Sequence, residues 1–286
     1  MCFRAVLLLA LTFTACTTTP ADSGDDTDGT GDTGGTGDAS TGDASSGADT
    51  TGDEPTSAAD TTGDESSGGP IEGCALVEPA CIDAAIQDLS LQDDKVSDGA
   101  VASANDGGDW VSQIDASAGG TEGAAMNPWV YLRFTDAGLE KVDLDDVAAL
   151  DSGDWDVAAK RYGIRANSGV SGPSCVTVAA PGGSYAEVTA VPAASEFAAE
   201  AYYTDECVLL EDGSGLPGSP AYRMASWWGY TGCVTTSAAP FVLLLADGRA
   251  VKLVVESYYG AGQDACNESG AMGTDPAHMT WRWSFL

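Results

Sequence analysis

The chain has 286 residues, and 44 acidic against 11 basic side chains give it a formal net charge of −33. A surface this acidic repels polyanions, which excludes DNA and RNA as partners and disfavours adhesion to anionic lipid headgroups. All seven tryptophans and all nine tyrosines lie beyond residue 70, so the capacity to build a core is confined to the C-terminal three-quarters.

In chain order, Arg4 precedes an apolar run, Ala5–Phe13, broken only by Thr12, and then the small residues Thr14 and Ala15 and a cysteine, Cys16. The run is too short to cross a hydrocarbon layer of roughly 30 Å as a helix. Residues 1–15 therefore read as a lipoprotein signal peptide, with Cys16 as the lipidated N-terminus of the mature chain. Phe13 stands where leucine is commonest in such signals. The alternative is an ordinary secretory peptide in which Cys16 is incidental.

Residues 16–70 are expected to form a disordered tether. Beyond Cys16 they consist of Thr, Gly, Asp, Ser and Ala with hardly an aliphatic residue, and Thr-Gly-Asp recurs at 30–32, 36–38, 41–43, 51–53 and 62–64. Such a segment buries too little apolar surface to offset an ordering entropy of about 1–2 kcal/mol per residue. It carries 13 acids and no base; the 31 acids and 10 bases beyond it leave the folded part near −21.

Residues 71–286 suit one all-β domain with few short helices. Glu78–Leu91 predicts a short helix, because Ile82, Ala85, Ile86 and Leu89 recur at helical spacing after Pro79. Gly99–Gly123 reads as loop with one short strand. Trp129–Phe134 (WVYLRF) alternates, setting Trp129, Tyr131 and Arg133 against Val130, Leu132 and Phe134. Trp155–Tyr162 sets Trp155, Val157 and Ala159 against Asp156 and Lys160. Cys175–Ala180 and Ser184–Val191 read as strands split by a turn at Pro181-Gly182-Gly183. Phe241–Ala246 and Arg249–Tyr259 flank Asp247-Gly248, the signature of a two-residue hairpin turn. Thr280–Leu286 closes the chain, with Trp281, Trp283 and Phe285 on one face.

Six cysteines remain after Cys2 and Cys16 are set aside: Cys74, Cys81, Cys175, Cys207, Cys233 and Cys266. An even number in an exported chain predicts three disulfides. Folding about Asp247-Gly248 returns the segments holding Cys233 and Cys266 to each other's side, so these two are expected to pair; the other pairings stay open. A metal centre is disfavoured, since there is no Cys-x-x-Cys and a single histidine, His278. No nucleophile elbow, phosphate loop or histidine-based catalytic set stands out, so the chain is not expected to be an enzyme.

Several of these segments resemble the HmuY family of bacterial surface lipoproteins: Trp129–Phe134, Asp154–Gly172 (DWDVAAKRYGIRANSGVSG), Ser184–Pro192, Phe241–Tyr259 and the closing Trp281-Arg282-Trp283. The most specific word is Trp155-Asp156, the basic pair Lys160-Arg161, and then Asn167-Ser168-Gly169-Val170-Ser171-Gly172. The similarity spans roughly Met126–Leu286. It implies an all-β fold, a lipid anchor in the outer membrane with exposure at the cell surface, and capture of haem for delivery to an outer-membrane transporter. Members of that family hold haem iron with two histidines or with methionines, and one histidine cannot supply a two-histidine site within a single chain. What remains are His278, Met126, Met224, Met272, Met279 and tyrosines such as Tyr202, Tyr203 and Tyr222, and of these Met224 and His278 are taken as the candidate haem ligands. Met224 lies in a region expected to rim a pocket, and His278 lies in a loop-like segment. Tyr202, Tyr203, Tyr222, Trp227 and Trp228 are candidate pocket aromatics. The alternative for Met224 and the aromatics is plain core packing. Trp155 is read as core, with Asp156 accepting hydrogen bonds from the turn at 167–172. A surface lipoprotein of this fold that binds no haem and serves in adhesion or protein contact is the competing expectation.

Overall fold

The structure, a computed structural model, describes residues 74–286. The signal segment, Cys16 and the acidic tether lie outside the described residues. Strands β1 (Val101–Asp106), β2 (Asp109–Asp115), β7 (Thr177–Ala179), β10 (Pro240–Leu244), β11 (Ala250–Tyr259) and β12 (Pro276–Phe285) form a six-stranded antiparallel sheet in the order β1-β2-β12-β11-β10-β7. Strands β3 (Val130–Thr135), β4 (Gly138–Val142), β5 (Val157–Lys160) and β6 (Gly163–Ala166) form a second, ordered β4-β3-β5-β6, and β8 (Trp228–Tyr230) pairs with β9 (Val234–Thr236). Three short helices, α1 (Ile82–Asp88), α2 (Gly120–Gly123) and α3 (Asp264–Ser269), complete an all-β fold.

The main core lies between the two sheets. Alternation aims Val130, Leu132 and Phe134 of β3 at Val251, Leu253 and Val255 of β11 and Trp281 and Trp283 of β12, all buried in one cluster. Phe134 meets Trp283 edge-on at 4.9 Å, joining the sheets at their centre. Burying each such side chain stabilises the fold by about 1.5–3 kcal/mol. Near the far end of β11, two register shifts around Ser257 bring both Tyr258 and Tyr259 into the same core.

The four-stranded sheet is buried on its other face as well. There Trp129, just before β3, Tyr131 of β3 and Ala158 of β5 pack beneath α1, with Trp155, Tyr202, Tyr203 and Tyr222. Ala85 and Leu89 are the buried members of the predicted helical stripe.

The disulfides pair Cys233 with Cys266 as the hairpin geometry requires, and join Cys74 to Cys175 and Cys81 to Cys207. Four local expectations are corrected. Gly99–Gly123 contains two strands, because Gly107 and Gly108 both adopt positive φ and close a tight β1–β2 hairpin. The β10–β11 turn is longer than two residues: Leu245 and Arg249 bracket it, and only Gly248 has positive φ (86°), the pattern of a turn followed by a glycine bulge. Ser184–Val191 holds a single 3-10 turn at Tyr185–Glu187, where the Glu187 carboxylate accepts from both N and Oγ of Ser184. Trp155 precedes β5 and enters the second core, opposite Val157 and Ala159.

Candidate functional site

His278 is not in a loop. It sits near the start of β12, one place after the inward Ala277 and one before the inward Met279, so alternation turns it outward. It faces Asp115 of β2 in the strand register, with His278 Nε2 3.5 Å from Asp115 Oδ1. That spacing is long for a hydrogen bond. The two line an open cleft of about 380 Å³ with Ala102, Gln113, Asp275 and Thr280. Both side chains keep over a third of their surface in solvent, so an incoming ligand reaches the imidazole without repacking. A carboxylate beside a histidine can hold the ring for a metal. The walls nonetheless carry two acids and, among the described residues, no aromatic side chain.

Met224 does not rim a pocket. It is fully buried between the sheets, because the short 3-10 turn at Ala225–Trp227 folds Met224 and Trp227 inward together. Trp227 Nε1 donates to the Tyr162 carbonyl, and Trp228 packs on the Tyr162 ring at 4.4 Å. A ligand could reach the Met224 sulfur only by emptying core, so Met224 and both tryptophans are corrected to packing residues.

Tyr202, Tyr203 and Tyr222 do come together, with Tyr202 between the other two at ring separations of 5.2 and 4.9 Å. What they help enclose belongs to the protein: Arg165 of β6, fully buried. Its guanidinium lies 4.8 Å from the Trp129 ring, 5.3 Å from Trp155 and 5.5 Å from Tyr131. It donates to the Ser171 carbonyl and to the Tyr131 hydroxyl. Tyr131 passes a hydrogen bond to Asp146, which also accepts from the backbone of Trp129 and Gln92. The three tyrosines thus share a core cluster with Trp129, Tyr131 and Trp155, the rings that form the cation–π cage of Arg165.

Burial governs the ionisation of this region. It pushes the Glu200 carboxyl up to about 7, opposed by hydrogen bonds from the backbone N–H groups of Ala166 and Arg223. It raises Asp146 against the opposing charge of Arg165, and raises Asp156 to about 6. Lys160 moves the other way, to about 8, mainly because its ammonium is desolvated. The Asp156 carboxylate accepts from the Phe134 N–H rather than from the 167–172 turn; only its backbone carbonyl receives the Asn167 N–H. The motif Asn167–Gly172 is a structural knot: Asn167, Ser168 and Ser171 are buried, and a Cβ on Gly169 would strike the Glu200 backbone carbonyl.

Arg165, Asp146 and Glu200 escaped the sequence reading. The available signal was Arg165 itself, a cation inside the short apolar strand Gly163–Ala166. Asp93, Asp94 and Asp145 bring carboxylate oxygens within 4.8 Å of one another, but Asp145 already accepts from the Ala148 N–H.

No protein-family model matches the chain, and no curated protein matches it. Similar solved structures do exist. A protein from Bacteroides vulgatus described as HmuY-like and heme-binding is 16% identical, with 62% of this chain and 91% of that one covered at a TM-score of 0.37. A lipoprotein from Bacteroides fragilis is 15% identical, covering 63% and 91% at 0.38. The apo HmuY analog of Tannerella forsythia is 16% identical, covering 68% and 99% at 0.34. The all-β assignment stands on the sheets described above.

Proposed function

We propose that this chain is a lipid-anchored binding protein of the cell envelope, of the HmuY type, that captures haem and passes it to an outer-membrane transporter. The segments that carry the sequence resemblance support this reading, and so does the signal-like N-terminus ending at Cys16. The observation on which the haem assignment turns is the His278–Asp115 pair at the wall of an open cleft. His278 is the chain's one imidazole and is accessible, and it would be the residue to hold haem iron, with Asp115 orienting its ring. The carrier is not an enzyme in this reading. A second reading, a surface protein of adhesion or protein contact that binds no haem, draws on the burial of Met224 and of the nominated aromatics.

Absorbance titration of the purified chain with haem tests the proposal. Saturation at one equivalent with a shifted Soret band, lost in His278→Ala and retained in Met224→Leu, is the expected result. Spectra identical to haem in buffer would leave the second reading in possession.

A further inference from the structure

A second, smaller pocket lies at the tip of the β5–β6 hairpin, apart from the His278–Asp115 cleft. It measures about 130 Å³, and Trp129, Tyr162 and Tyr222 line it together with Lys160 and Arg161. We infer that this pocket binds a small planar carboxylate, its ring against the three aromatics and its charge held by Lys160 and Arg161.

Charge is the first argument. The folded part carries three acids for every base, and its half-buried arginines Arg133, Arg249 and Arg282 are paired with carboxylates, while the exposed Arg223 donates to the Ala199 carbonyl. Lys160 and Arg161 make no ion pair within 4 Å among the described residues, although they are adjacent and acids are plentiful. Lys160 Nζ and the indole N–H of Trp129 are both buried donors without a hydrogen-bond acceptor. Buried donors are nearly always satisfied in folded proteins, so two orphans on residues of one pocket mark an acceptor that the protein itself does not provide.

The backbone is the second argument. Register pairs Lys160 with Gly163, leaving Arg161-Tyr162 as a two-residue turn in which Arg161 has φ 54°. Glycine is the ordinary occupant of such a position, and an arginine there is strained. Gly163 is needed for a different reason. A Cβ on it would come within 2.9 Å of the Trp129 ring and 3.3 Å of the Tyr222 ring, narrowing the aromatic lining. An apolar cavity of roughly 150 Å³ accommodates benzene, so a single ring is the size that fits.

Benzoate, its neutral analogue benzamide, and acetate, which has the charge without the ring, are the probes, titrated into the full chain by calorimetry. Benzoate is expected to bind saturably and about tenfold more tightly than either analogue, the difference one charge-assisted contact supplies. Lys160→Met, which keeps the aliphatic stem, should erase the preference of benzoate over benzamide. Arg161→Gly should weaken benzoate while raising or preserving the melting temperature, a split that a merely structural arginine would not give; it also serves if the Lys160 variant does not fold. Equal affinity for benzoate and benzamide, absence of saturable benzoate binding up to about 10 mM, or unchanged benzoate affinity in Arg161→Gly would overturn the inference.

Discussion

The Arg165 guanidinium reaches Asp146 through a phenol: it donates to the Tyr131 hydroxyl, and Tyr131 donates to Asp146 Oδ1 at 3.0 Å. The charge is thereby spread over a relay and three aromatic faces instead of resting in one contact ion pair. Tyr131→Phe keeps the ring and removes the relay, leaving a guanidinium N–H and a carboxylate oxygen each one partner short. The expected loss is about 1–3 kcal/mol. Arg165→Lys should cost more, about 3–5 kcal/mol, because an ammonium cannot stack on Trp129 and Trp155 while donating to both Ser171 and Tyr131. Urea unfolding of the two variants checks the order, and a harmless Arg165→Lys would remove the cage as a stabilising element.

Glu200 sets a pH dependence opposite to that of a salt-bridged carboxylate. Its pKa rises from an ordinary 4.5 to about 7 on folding, chiefly through burial. Between these values the folded state binds more protons than the unfolded one. The contribution is therefore fully present below about pH 4.5 and is lost as pH rises through 7, amounting to about 3 kcal/mol. Asp156, raised to about 6, acts in the same sense over a lower window. Glu200→Gln should flatten the decline between pH 5 and 8. It should also weaken the protein at pH 5 by about 1–3 kcal/mol, since its amide N–H₂ faces a backbone donor. If the wild type and this variant lose stability in parallel between those pH values, the Glu200 assignment fails.

What could be read from the sequence divides along a physical line. Period-two alternation depends only on which face a side chain takes, so β3, β11 and β12 were legible, and with the β10–β11 hairpin came the Cys233–Cys266 bridge. Alternation does not say what lies beyond a face. The four-stranded sheet is covered on both sides, and so Tyr202 and Trp227, which resemble pocket walls in sequence, are core. Strand β1 (VASAND) went unseen because its side chains are small and mostly exposed and its turn glycines lie in a glycine-rich stretch. His278 was misplaced by one element, since Pro276 opens the last strand instead of ending a loop.

Trp155 tests the second core directly. Its ring meets Tyr131 edge-on at 5.0 Å and its Nε1 donates to the Ala149 carbonyl, while Asn167 Nδ2 donates to the Trp155 carbonyl. Gly172 lies so close that a Cβ there would approach the indole to 2.7 Å. Nothing nearby can collapse into the space of an indole without breaking these bonds. Trp155→Ala is expected to lose about 3–5 kcal/mol, or roughly 10 °C in melting temperature for a domain of this size. An unchanged melting curve would contradict the assignment.

The three disulfides differ in access, and that predicts the order in which they open. Cys233 and Cys266 are buried in the main core, 0% and 1% exposed, whereas all four cysteines of the other two bridges are partly exposed. Exchange needs a thiolate to reach a sulfur, so accessibility controls the rate while the fold persists. Mild reduction under native conditions, followed by alkylation and peptide mapping, should label Cys74, Cys81, Cys175 and Cys207 well before Cys233 and Cys266. Opening the Cys81–Cys207 bridge, which closes 126 residues and holds the start of α1, should cost about 5 kcal/mol in the chain-entropy account. The buried bridge should yield only when the sheets separate, so its labelling rate should follow global unfolding in urea. Labelling of Cys233 and Cys266 ahead of the exposed pairs, in protein that still shows its native tryptophan fluorescence, would place that bridge outside the core.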